Sequence, residues 1–156
     1  MSEIERRLDE VERGLRGLAD REAIRELTAQ YCHGVVQGST EAVVSLFTDD
    51  ASLKTHFPGT SGQANVEPQG KEQLLKEYAD LDRLQLQPCI HNHIIELDGD
   101  AARGVCSVEI RLVQDGVAYT GAGHYHDEYR RDGERWKFQR RELFVYHWVP
   151  LSEGWA

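Results

Sequence analysis

The stretch DREAIRELTAQYCHGVVQGSTEAVVSLFTDDA, Asp20–Ala51, decides how the chain reads. Ile24, Leu27, Tyr31 and Val35 recur three or four residues apart and so share one face of a helix. Asp20 suits the N-cap of that helix and Glu22 its favourable first turn. Gly38 suits its stop. Ser39 or Thr40 then opens a short further helix carrying Val43, Val44, Leu46 and Phe47, and a turn follows at Thr48–Ala51.

Upstream, Ile4, Leu8, Val11, Leu15 and Leu18 form a narrow apolar stripe on a charged helix over residues 1–17. Gly14 and Gly17 weaken that helix near its end. The stripe can pack on the domain or pair with a neighbouring subunit. Downstream, a strand is expected at Ser52–Phe57. The Gly-, Pro- and polar-rich segment Pro58–Gly70 is long for a plain connection and reads as a mobile lid. Lys71 to about Leu84 reads as a helix with Leu74, Leu75, Tyr78 and Leu81 inward. After Pro88 the pattern switches to period two. Four strand-like runs follow, divided at Asp98-Gly99-Asp100, Gln114-Asp115-Gly116 and Asp132-Gly133, which are strong hairpin signals. Helices first and an antiparallel meander last predict an α+β fold, with N-terminal helices packed on a curved, mostly antiparallel sheet enclosing a pocket. One domain is expected over residues 1–156.

Composition narrows the function. The 156 residues carry 27 acidic and 18 basic side chains, a net charge of −9. That argues against nucleic acid and against an anionic membrane surface as partner. No apolar run approaches the ~20 residues of a membrane span. The charged start MSEIERRLDE is no signal peptide. Cys32, Cys89 and Cys106 are widely spaced without a CxxC pair, which fits packing thiols in a reduced, cytoplasmic protein.

Three phrases then carry a resemblance: the opening stretch, IELDGDAARG (Ile95–Gly104), and GHYHDEYRRDGERWKF (Gly123–Phe138). With them the chain resembles the SnoaL-like branch of the nuclear transport factor 2-like superfamily, an α+β cone. The resemblance implies a deep apolar pocket between sheet and helices. It also implies cofactor-free dehydration, isomerisation, cyclisation or hydrolysis of polyketide-, steroid- or terpene-like molecules. Dehydratases of the scytalone and bile-acid 7α type in this group use a Tyr, an Asp about five residues on, and a His opening the first meander strand. Tyr31 matches the first. Val36 stands at the Asp position and Pro88 near the His position, with His91 three residues on.

On a regular strand His91, His93, Ile95 and Leu97 share a face, and both histidines then open into the pocket mouth. A histidine there can remove a proton beside a carbonyl or donate one to a leaving hydroxyl. His91 and Tyr31 are therefore the candidate catalytic pair. His93, Tyr125, Asp127, His56, Ile95 and Val108 are the candidate pocket residues. On the GHYHDEY strand either His124 and His126 or Tyr125, Asp127 and Tyr129 face inward; the resemblance leans to Tyr125 and Asp127. One of Arg140 and Arg141 faces inward and needs a carboxylate such as Asp127 or Glu142. Trp136, Phe138, Phe144, Tyr146 and Trp148 are expected on one face. The HxH pairs are a weak metal signal, and neither metal nor cofactor is expected.

The reading is a cofactor-independent dehydratase or isomerase acting on an apolar, oxygenated small molecule. The alternatives are a non-catalytic binding protein of the same fold, or the small subunit of a ring-hydroxylating oxygenase. A homo-oligomer, dimer or trimer, is expected.

Overall fold

The computed structural model describes residues 2–58 and 67–153. Most of the lid-like segment, residues 59–66, lies outside the described residues.

One helix, α1 (Glu3–Val36), replaces the two expected. Gly14 and Gly17 lower helix propensity without interrupting it, because no proline or competing cap stands nearby. Asp20 caps nothing. Its carboxylate accepts from Arg131 Nη2 at 2.7 Å and from Trp136 Nε1 at 3.0 Å, tying α1 to the sheet. The start is fixed by Ser2, whose hydroxyl accepts from the Glu5 amide while the Glu5 carboxylate accepts from the Ser2 amide. Only the second half of α1 is buried, through Ile24, Leu27, Thr28, Tyr31, Gly34 and Val35. A Cβ on Gly34 would lie 2.9 Å from Val43 Cγ2, so a side chain there would push the next helix away.

Gly38, at φ +66°, turns the chain into α2 (Thr40–Ser45). Strand β1 (Phe47–His56) begins earlier than expected, absorbing the predicted turn at Thr48–Ala51. Helix α3 (Lys71–Glu77) stops well before Leu84. Strands β2 (Gln87–Asp98), β3 (Ala101–Gln114), β4 (Val117–Asp132) and β5 (Arg135–Pro150) form the meander, and a 3-10 turn at Leu151–Glu153 follows. Asp115 and Gly116 both have positive φ, as a tight primed hairpin turn requires. The sheet order is β1-β5-β4-β3-β2, with β1 parallel to β5 and every other pair antiparallel. β2 is thus an edge strand, which tolerates Pro88.

Helices cover the inner face of this α+β sheet. One apolar cluster joins Ile24, Val35, Phe47, Leu74 and Phe138; a second joins Val108, Ile110, Leu143 and Val145. Among the described residues no helix is long and apolar enough to cross a membrane.

Candidate active site

Two bulges decide which side chains reach the interior. In β2 the pairing shifts between His91, opposite Ser107, and Ile94, opposite Val105. The extra residue is Asn92, held at φ +54°. It breaks the alternation that the sequence suggested, since a bulge reverses facing across it. His91 therefore shares the outer face with Ile94 and is exposed, whereas His93 turns inward beside Ile95. The two histidines thus do not share a face as a regular strand would require, although both still border the cleft between α1 and β2. In β5 a shift opposite Glu128 and Tyr129 puts both Phe138 and Arg141 on the inner face. The same shift leaves Phe144 and Tyr146 outside, and a second, between Val145 and His147, returns Trp148 to the inner cluster, so the five aromatics do not share a face.

The inner face of β4 carries Tyr125, Asp127 and Tyr129, all buried. His124 and His126 face outward. There His124 stacks on Phe144 at 5.0 Å, and His56 stacks on the same ring at 4.5 Å. His56 also pairs with Glu142 at 2.8 Å, so it sits on the outer face and not at a pocket mouth. Arg140 joins Glu142 outside, and Arg141 joins Asp127 inside. Among the described residues no three His, Cys, Asp or Glu side chains converge as a ligand set.

A polar layer crosses the interior between the two apolar clusters. At its centre Arg141 is 0% exposed. Its Nε lies 3.1 Å from Asp127 Oδ1, and its Nη2 donates to Asp127 Oδ2 at 3.2 Å. Its guanidinium carbon is 3.8 Å from the Tyr125 ring centre, 4.2 Å from that of Tyr31 and 4.4 Å from that of Phe138. A guanidinium suits such a box, because its flat faces stack on rings while its edge binds a carboxylate. Burial raises the Asp127 carboxyl above the usual aspartate range, against the pull of Arg141. The Tyr31 and Tyr78 hydroxyls are 3.1 Å apart, and burial raises both phenols, so both remain protonated.

From Asp127 the layer continues outward. Tyr129 Oη donates to Asp127 Oδ2 at 3.0 Å and lies 3.1 Å from His93 Nε2. The Tyr129 proton is committed to the carboxylate, so its oxygen can only accept from His93. That places the imidazole proton on Nε2 and leaves Nδ1 with its lone pair. Burial, with the charges of Arg141 and Arg25, lowers His93 to about 4, so the ring is neutral at pH 7. His93 lines a cleft of about 510 Å³ between α1 and β2, together with Arg25, Thr28, Cys32, Ile90 and His91.

Of the residues singled out from sequence, Tyr31, His93, Ile95, Val108, Tyr125 and Asp127 lie on the inner side, and His91 and His56 do not. In the sequence Tyr129 and Arg141 stand only as members of open alternatives, and Arg25 and Cys32 carry no signal that their helix faces β2.

The SnoaL-like domain profile matches residues 16–142. The chain belongs to the SnoaL-like family. No curated protein matches it. Among solved structures, a SnoaL-fold neighbour is a candidate scytalone dehydratase from Novosphingobium aromaticivorans. It is 19% identical with TM-score 0.76, over 86% of this chain and 89% of that one. Another is a hexachlorocyclohexane dehydrochlorinase, LinA type 2. It is 24% identical with TM-score 0.75, over 88% and 92%. The candidate β subunit of an aromatic-ring-hydroxylating dioxygenase from N. aromaticivorans is 19% identical with TM-score 0.72, over 83% and 90%. These likenesses establish the cone fold, on which SnoaL-like chains of different chemistry are built.

Proposed function

We propose that this SnoaL-like protein is a cofactor-independent lyase or isomerase that moves a proton on an apolar, oxygenated small molecule of polyketide, steroid or terpenoid kind. His93 takes the role that the sequence suggested for His91. One observation carries this reading: a neutral imidazole stands at the cleft, its tautomer fixed by Tyr129 and Asp127.

Nδ1 would accept a proton from carbon beside a carbonyl. The electron pair left behind forms a carbon–carbon double bond, and the imidazolium then returns its proton. Return to a β-hydroxyl releases water; return to another carbon isomerises the substrate. Neither outcome changes the overall oxidation level, so neither requires a redox cofactor. With its pKa near 4, His93 is a weak base but its conjugate acid is strong, which suits rapid proton return. Arg25, across the cleft, is placed to hold the developing oxyanion. Tyr31 acts through Arg141, holding one wall of the box that fixes Asp127.

A second reading, a binding protein without catalysis, is favoured by Val36. It stands where the related dehydratases carry an acid, and its side chain is 53% exposed. The test is deuterium exchange and water loss from apolar hydroxyketones in D2O, followed by NMR and mass spectrometry. The enzyme reading expects exchange that His93→Gln abolishes. Binding without exchange favours the second reading. Exchange untouched by His93→Gln overturns the assignment to His93.

A further inference from the structure

The first half of α1 is the largest feature that the proposed chemistry leaves unused. Every residue from Ser2 to Arg16 is exposed, so about 21 Å of helix stands clear of the domain. The five apolar side chains of its stripe are each more than half exposed: Ile4, Leu8, Val11, Leu15 and Leu18. A lone helix of that length is marginal in water, yet this one begins with a complete capping box. The stripe does not pack on the domain, so something else must cover it.

We infer that this segment joins copies of the same chain in a parallel helical bundle. The spacing is that of a heptad seam, with Leu8 and Leu15 at a and Ile4, Val11 and Leu18 at d. Residue 7 then falls at g and residue 12 at e, and a parallel arrangement sets Arg7 of one copy beside Glu12 of the next. An antiparallel arrangement would instead bring Glu5 near Glu12. Neither Arg7 nor Glu12 forms an ion pair among the described residues, whereas the adjacent Arg6 is held by Glu3 at 2.7 Å and Glu10 at 2.6 Å. Of the charged residues at e and g in this segment, Glu5 is engaged in the capping box, which leaves Arg7 and Glu12 available for a neighbour. Leucine at a with β-branched Ile4 and Val11 at two of the three d positions disfavours two strands, so the bundle has three or four. A lipid surface is a poorer match: residues 3–16 hold five acidic side chains and four arginines, without the basic excess of a membrane-binding helix.

Sedimentation of the full chain over a range of concentrations tests this. The wild type should associate into trimers or tetramers of the 17.8 kDa chain. Leu8→Lys combined with Val11→Lys should leave monomers. Arg7→Glu alone and Glu12→Arg alone should each weaken assembly by about tenfold or more, and the two together should restore it. These positions lie on the exposed half of α1, so near-UV circular dichroism of each variant should match the wild type. A monomeric or dimeric wild type overturns the inference, as does assembly indifferent to the Lys substitutions. Failure of the double charge swap to restore what the single swaps lose overturns the parallel pairing.

Discussion

The Tyr129 hydroxyl lies 3.1 Å from His93 Nε2 and at the same time donates to the buried Asp127 carboxylate at 3.0 Å. One phenol thus fixes a tautomer at the cleft and supplies one of the donors that a buried carboxylate requires. Tyr129→Phe keeps the ring and removes both functions. Nitrogen-15 NMR of His93 should show the Nε2–H tautomer in the wild type and a mixture in the variant. Stability should fall by about 1–3 kcal/mol, because Asp127 is left short of a donor. An unchanged tautomer would mean that another group sets it.

The depressed pKa of His93 fixes a direction for stability against pH. The unfolded ring titrates near 6.5 and the folded ring near 4. Between those values the unfolded chain binds the additional proton, so stability falls as pH drops through that window and levels off below it. Above about pH 6.5 the contribution is fully present. Urea titrations of the wild type and His93→Gln at several pH values should show this slope only in the wild type. Carboxylates contribute in both proteins and cancel in the difference. Parallel curves between pH 6.5 and 4 would place the His93 ring in water.

Gly104 faces the same pair from β3. A Cβ built there lies 2.9 Å from His93 Nε2, 3.0 Å from Tyr129 Cε2 and 3.1 Å from Tyr129 Oη. Gly104→Ala should therefore part His93 from Tyr129 while leaving the strand extended. Overpacking of this kind costs about 1–3 kcal/mol. The more telling readout is the imidazole pKa, which should rise from about 4 toward the ordinary histidine value as the ring is displaced toward water. A variant whose His93 still titrates near 4 would show that the glycine is not what allows the close approach.

Much of this was legible in the residues. Apolar spacing over Ile24–Val35 placed the helix that covers the sheet, and the Asp-Gly turns placed the hairpins. The SnoaL-like resemblance gave the fold. Facing within strands was less legible, because period two holds only while a strand is regular. Asn92 and the shifts in β5 break it, and they turned His91 outward and brought Arg141 in. Asn is among the residues that tolerate positive φ, so Asn92 between two histidines was a usable hint. The junction near Asp20 was misread because an N-cap residue and a tertiary acceptor look alike in sequence. Only the folded chain brings Arg131 and Trp136 to that carboxylate.

Arg141 is the side chain whose loss should cost most. It is fully buried, and its edge is paired with Asp127, itself 2% exposed. Arg141→Met keeps bulk among Tyr31, Tyr125 and Phe138 but leaves a carboxylate without its counter-charge. Breaking a buried pair from one side costs about 3–5 kcal/mol. Arg141→Lys should recover only part of that loss, since an ammonium cannot bind both carboxylate oxygens and stack between two tyrosines. Replacing both partners, as Asp127→Asn with Arg141→Met, should be more stable than Arg141→Met alone, because no uncompensated charge remains. Urea unfolding at pH 7 orders the three variants. If Arg141→Met costs less than about 1 kcal/mol, the guanidinium is reached by water, and the ordered chain from Arg141 through Asp127 and Tyr129 to His93 loses its anchor.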